Sequence, residues 1–299
     1  MVAVLRTEGL TKHFGRFRAV DGIDLDVQEG DIYGFLGLNG AGKTTTLRMI
    51  LRLIRPTAGR VEVFGLDPAK SFIEVMKRVG CLVELPAYYP YLSGWKNLEV
   101  LRLATGGIEA KRIDEVLEVV GLAERKHDAV RTYSQGMRQR LGIAMALLPR
   151  PRLVLLDEPT NGLDPHGIHH IREAIRELNR RDGVTFVVSS HLLHEVEITC
   201  NRVGILKQGK LLLQDTVARI LEKTIDGVRV VADPPGQALE AVRRQPWVAD
   251  VSEAPGGGLR VRCEPSRFAD LNRLLVQEGC SVRELSPVRR TLEEYFLST

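Results

Sequence analysis

Residues 32–50, IYGFLGLNGAGKTTTLRMI, run a short apolar strand into a glycine loop and directly into a helical pattern. Within it, Gly37–Thr45 fits the spacing G-x-x-x-x-G-K-[ST]. Each part has a physical use. Gly37, Gly40 and Gly42 let the backbone fold tightly enough for N–H groups to point at phosphate oxygens, and Leu38, Asn39 and Ala41 complete the loop. The helix adds the positive end of its dipole. Lys43 neutralises β and γ phosphates, Thr44 offers a hydroxyl to Mg²⁺, and Thr45 lies on the α-phosphate side. A chain built around this stretch needs a strand, a turn and a helix in that order, which points to an open α/β sheet.

The rest of the first 224 residues fits that demand. RVEVFG (60–65) reads as a strand ended by Gly65, and RLVLLDEP (152–159) is a near-continuous apolar run, as expected of a parallel strand buried on both faces. After a helical pattern over 166–181, GVTFVVSSH (183–191) repeats it, and RVGILKQGKLLLQD (202–215) reads as a hairpin turning at Gln208-Gly209. Residues 2–30 mix short β-like runs with glycine turns. Residues 87–150 change character to three helical patterns, an insertion in the alternating core. Strands alternating with helices predict an α/β fold, a P-loop NTPase core over 1–224 with a helical subdomain at about 87–150. Residues 225–299 restart as a small β-α-β-β-α-β pattern, an α+β domain of ferredoxin-like order with a hairpin turn at PGGG (255–258). Its closing stretch, with Leu292, Tyr295 and Phe296, reads as an amphipathic helix.

Three side chains complete a hydrolytic set. The strand ending in Asp157-Glu158 delivers two carboxylates to the carboxyl edge of the sheet. Asp157 suits Mg²⁺, and Glu158 suits polarising a water for in-line attack on the γ-phosphate. His191 ends another strand at the same edge, where an imidazole can bond the γ-phosphate and position the water.

YSQGM (133–137) is a second helix entrance with an anion-binding look: Ser134 is a ready N-cap, and a glycine follows. With Gly37–Thr45, Leu153–Asp157, Glu158, NGLD (161–164) and His191, this ordered set over about 1–215 resembles the ATP-binding subunits of ABC transporters. The tail resembles that of ABC-2-type exporters of bacitracin- and lantibiotic-immunity kind. The resemblance implies two copies facing head to tail, with each ATP held between the Lys43 loop of one and the Ser134 helix of the other. Ser134, Gln135, Gly136 and Asp164 then join the nucleotide site. It also implies that Phe14 stacks on adenine above Val20, although Phe14 also suits a core position. Glu84 falls where the family places a metal-binding glutamine, and Gln135 replaces a signature glycine. PAYYPYL (86–92) suits either a groove for a permease helix or internal packing of the helical lobe.

Composition narrows the classes. Aromatics at 5% leave little for a single-strand stacking platform. The net charge of +4 is mild, and residues 225–299 hold 10 Arg against 11 Asp plus Glu, so no basic block marks a nucleic-acid partner. Cys81, Cys200, Cys263 and Cys280 have neither zinc nor disulfide-framework spacing, which predicts reduced thiols. The first residues do not read as a signal peptide, and no apolar run approaches the roughly 18–20 residues of a membrane span. The expectation is therefore an ATP- and Mg²⁺-dependent homodimeric ATPase, peripheral on the cytoplasmic membrane face, powering export through a separate permease. The alternatives are an importer or sensing ATPase, or a soluble ABC ATPase of ribosome or DNA.

Overall fold

The computed structural model describes residues 3–84, 86–223, 225–254 and 257–289. Leu292, Tyr295 and Phe296 lie outside them, as do Pro255 and Gly256 of the expected hairpin turn. Two compact units divide the chain, Met1–Val217 and Ala218–Thr299.

The first unit opens with β1 (Ala3–Phe14), β2 (Phe17–Ile23) and β3 (Asp26–Gln28), which pair antiparallel. β1 is one long strand where the sequence suggested short runs broken at glycine. The chain passes through Gly9 at φ +57 as an irregularity in register rather than a turn, with the Gly9 N–H donated to Asp24 Oδ1 at 2.6 Å. Next come β4 (Ile32–Leu36), α1 (Lys43–Ile50) and β5 (Ala58–Val63), which returns to pair with β1. Then follow α2 (Phe72–Met76), β6 (Val79–Leu82) and the helical insertion: α3 (Gly94–Thr105), α4 (Lys111–Val119) and α5 (Gln135–Leu147). The core resumes with β7 (Leu153–Asp157), α6 (Pro165–Asp182), β8 (Thr185–Ser190) and α7 (Leu193–Thr199). The unit closes with the hairpin β9 (Arg202–Lys207) and β10 (Lys210–Thr216), which turns at Gln208-Gly209, both left-handed.

The central sheet has six strands in the order β10-β9-β4-β8-β7-β6, parallel except at the β10 edge. Every residue of β4, β7 and β8 is buried, as their largely apolar runs predict for parallel strands covered on both faces, with Thr185, Ser189 and Ser190 the buried hydroxyl residues of β8. Tyr33, Phe35, Leu153, Leu155 and Val187 of these strands share one apolar cluster with Leu47 and Ile50 of α1. β8 lies between β4 and β7, so the carboxyl ends of three strands converge.

The helical insertion is set on this sheet by a close approach. A Cβ at Gly80 of β6 would run into the carbonyl oxygen of Ala146 on α5. Gly80→Ala is expected to destabilise the chain by about 1–3 kcal/mol, because the obstacle is backbone and cannot rotate aside. A urea unfolding curve with an unchanged midpoint would contradict this packing.

The second unit follows α8 (Val217–Lys223) with β11 (Ile225–Asp233), α9 (Pro235–Arg243), β12 (Asp250–Glu253), β13 (Leu259–Arg262), α10 (Phe268–Gln277) and β14 (Ser281–Arg289). Its strands pair antiparallel in the order β12-β13-β11-β14, the ferredoxin-like arrangement. Val228, Val230 and Val261 of the sheet pack with Ala238, Val242, Leu271 and Leu275 of the two helices.

Candidate functional site

The loop between β4 and α1 is shaped by its glycines and by what backs it. Gly40 and Gly42 have φ of +82° and +107°. A Cβ at Gly42 would lie 2.6 Å from the Ala19 carbonyl oxygen and 3.3 Å from Val20 Cγ2. Val20 is fully buried, so it supports the loop from below. On another side, the β9–β10 turn bonds to the loop: the Gly209 N–H donates to the Ala41 carbonyl at 2.9 Å. Gly42 caps α1 without any side-chain bond. The first N–H groups of a helix have no partner within it, so this entrance suits an anion.

Lys43 is buried, and its Nζ donates to the Gly37 carbonyl at 2.5 Å. The same Nζ lies 3.1 Å from Glu158 Oε1. The other Glu158 oxygen, Oε2, lies 2.9 Å from His191 Nδ1. Thr44 Oγ1 donates to Asp157 Oδ2 at 2.7 Å. Five expected residues from two strand ends and one helix are thus joined by direct contacts, in two adjacent sets. Glu158 holds a left-handed backbone, φ +48°, which costs a side-chain-bearing residue roughly 1–3 kcal/mol. That turn swings its carboxylate away from the line of β7 and between Lys43 and His191.

Ser134, Gln135, Gly136 and Asp164 gather separately, around the loop 161–164. Ser134 is the N-cap of α5 and accepts from the Met137 N–H at 3.2 Å, while Asp164 caps α6 by accepting from the Gly167 N–H at 2.9 Å. A Cβ on Gly162 would sit 2.8 Å from Gln135 Nε2, so Gln135 lies against the glycine of that loop. Gly136 faces Leu163. Within one chain these residues do not complete the Lys43 site; they form a second surface.

Phe14 ends β1, half exposed, with Lys12 Nζ 5.1 Å from its ring centre. Its exposure leaves the ring available for stacking and disfavours the core reading. Phe17, paired with it across the turn, is also exposed. Glu84 is ion-paired with Arg48. Arg48 lies one helical turn beyond Thr44, so an arginine, and not the Thr44–Asp157 pair, engages this carboxylate.

The geometry suits a nucleotide triphosphate with Mg²⁺. Among the described residues, no cluster of three or more His, Cys, Asp and Glu gathers to hold a metal. A hydroxyl and one carboxylate, completed by the substrate's phosphate oxygens, is the arrangement Mg²⁺ accepts, since it keeps much of its oxygen shell from water and substrate.

Similarity to known proteins agrees. The family model described as ABC transporter matches residues 20–161. The bacitracin transport ATP-binding protein of Bacillus licheniformis is 39% identical over 99% of this chain and 97% of its own length. The chain belongs to the ABC transporter family, among its ATP-binding subunits. The daunorubicin resistance ATP-binding protein of Streptomyces coeruleorubidus is 34% identical over 98% of this ABC subunit and 94% of its own length. An ATP-binding cassette solved as a dimer in a post-hydrolysis state with ADP and phosphate superposes with a TM-score of 0.65. It is 26% identical and covers 71% of this chain and 98% of its own. This ABC subunit is accordingly an ATPase of transport, of a kind that dimerises as cassettes and works with a transmembrane permease. Among its described residues no helix is long and apolar enough to cross a membrane.

Sequence reasoning missed three supports of the ABC site. Ser189 bonds both Asp157 and Glu158, Gln139 of α5 donates to the Glu158 carbonyl at 3.5 Å, and Gly209 braces the phosphate loop. Only Ser189 carried a signal: a polar residue on a buried strand must find a partner. The cysteines are free thiols, and burial pushes that of Cys200 up to about 12, which keeps it unreactive.

Proposed function

We propose that this chain is the ATP-hydrolysing half-engine of an exporter for an antibiotic or similar drug-like compound, acting as two copies beneath a separate permease on the cytoplasmic membrane face. The contact set Lys43–Glu158–His191, directly beside Thr44–Asp157, is the observation that carries it. Nearly full-length similarity to proteins of bacitracin transport and daunorubicin resistance supports export over import, signalling or ribosomal work.

In this reading the loop Gly37–Thr45 wraps the phosphates and Phe14 stacks on the base above Val20. Thr44 and Asp157 hold Mg²⁺, which neutralises phosphate charge when bound. Lys43 rests on Glu158 and turns to the incoming phosphate, which unmasks the carboxylate. Glu158 then accepts a proton from the attacking water, and His191, held by Glu158 Oε2, faces the γ-phosphate. Ser134, Gln135, Gly136 and Asp164 serve the partner copy's nucleotide, so the sandwich closes only around ATP. Glu84 would have to leave Arg48 to reach the cation.

The stretch 86–92 is the proposed permease contact. Tyr89 and Tyr91 are exposed, as are Val100 and Leu103 of α3. Buried Asn97 holds the loop open by bonding both the N–H and the carbonyl of Tyr89, at 2.7 and 3.1 Å. Replacing Tyr88 and Tyr89 with alanine is expected to abolish co-purification with the permease while leaving ATP binding within about twofold, since the contacts of these residues are with Arg138 of α5 and Asn97 of α3 in the helical insertion. Retained co-purification would rule the contact out. The export reading is tested in cells. A strain whose only copy is Glu158→Gln should become sensitive to at least one member of a panel of bacitracin-like peptides and anthracyclines. Unchanged sensitivity across that panel would contradict it.

A further inference from the structure

We propose that Ser189 is a positioning residue for hydrolysis: its single hydroxyl sets the Mg²⁺ carboxylate Asp157 and the base Glu158 relative to each other. The inference rests on the reading of Glu158 as the base and goes beyond it.

Ser189 is fully buried on β8, the strand between the phosphate-loop strand and the carboxylate strand, and stands opposite Asp157 in register. Its Oγ donates to Asp157 Oδ1 at 2.5 Å and accepts from the Glu158 N–H at 2.9 Å. The second bond answers a specific problem. Glu158 lies just past the end of β7, so its N–H is outside the strand ladder, and a part-buried N–H needs a partner. A side-chain oxygen on the neighbouring strand takes the role that a backbone carbonyl would have played. The first bond fixes one oxygen of Asp157, while Thr44 fixes the other. The carboxylate is thereby held between two hydroxyls and cannot rotate out of the cation's reach.

Packing gives no reason for serine here. The preceding residues of β8 are Phe186, Val187 and Val188, all buried. A buried hydroxyl in such a strand is unfavourable unless both its proton and its lone pair are used, as they are. Ser189 also lies two residues before His191, so one strand end carries both the bond that shapes Glu158 and the imidazole that meets Oε2. Displacement of this strand end would move these two contacts of Glu158 together.

The test compares Ser189→Ala, Ser189→Thr and Glu158→Gln in the full chain, reading kcat, KM, affinity for a fluorescent ATP analogue with Mg²⁺, and the unfolding midpoint. Ser189→Ala is expected to lower kcat about 10–100-fold, the scale of losing an outer hydrogen bond to a site ligand. KM and analogue affinity should stay within about threefold, because the phosphate loop is untouched. Ser189→Thr keeps the hydroxyl and should recover kcat. A Ser189→Ala chain with wild-type kcat beside an idle Glu158→Gln overturns the role of Ser189 alone. Parallel loss of kcat, affinity and unfolding midpoint without rescue by threonine overturns it in favour of a structural part. Normal turnover by Glu158→Gln overturns the base assignment, and the role of Ser189 falls with it.

Discussion

Glu158→Gln is expected to cut ATP turnover by about 10²–10⁴-fold, the usual contribution of a positioned general base, while nucleotide affinity holds. Glutamine keeps the shape of the side chain and can still bond His191, but it cannot take a proton. The substitution also removes the negative charge that Lys43 balances, leaving that ammonium freer to meet phosphate. With hydrolysis blocked, the ATP-bound pair of copies has no route back to the open state, so the variant should accumulate as an ATP-dependent dimer. Sedimentation with and without Mg-ATP reads this directly. An active variant, or an idle one that stays monomeric with ATP bound, contradicts the proposed chemistry or the proposed sandwich respectively.

Lys43→Met is expected to lose ATP binding and, without ligand, to lower stability. Each charge-assisted bond from the ammonium to phosphate is worth about 1.5–3 kcal/mol, roughly a 10–100-fold change in affinity. The stability effect comes from what remains. Lys43 is the cation facing Glu158 Oε1, an oxygen with no hydrogen-bond partner among the described residues. Removing one member of a buried pair strands the other, a loss of about 3–5 kcal/mol in well-buried cases. Here Glu158 keeps 16% exposure and its His191 contact, so the cost should fall below that range. The sign is tested by a double variant: Lys43→Met with Glu158→Gln should be more stable than Lys43→Met alone. Equal unfolding midpoints would show that the pair contributes nothing to the ligand-free fold.

The features legible in the sequence are those set by local spacing. Gly37, Gly40, Gly42, Lys43 and Thr44 sit within a few residues of one another, and their roles follow from a strand-loop-helix turn. Asp157 and Glu158 announce themselves by ending an apolar run. The β9–β10 turn was readable because Gln208-Gly209 separates two β patterns. Strand order was not readable in the same way. Nothing local in TFVVSSH says that this strand inserts between β4 and β7, and the role of Ser189 depends on that insertion. Contacts across long separations share the difficulty. The engagement of Glu84 by Arg48, and the seating of Gln135 against Gly162, both depend on segments that meet only after folding. Gln135, a departure from the family's glycine when read along the sequence, fills space beside a loop glycine when seen in the structure.

The central claim is that hydrolysis needs the Lys43 loop of one copy and the Ser134 helix of another. It is tested most directly by mixing two idle variants. Lys43→Met cannot hold its own ATP but keeps an intact α5 entrance. Ser134→Glu holds ATP but sets a carboxylate where the partner's γ-phosphate should dock. Each alone should be inactive, and the mixture should regain turnover, because a mixed pair contains one complete site. An inactive mixture, or a Ser134→Glu chain that turns over normally alone, would contradict a site shared between two copies.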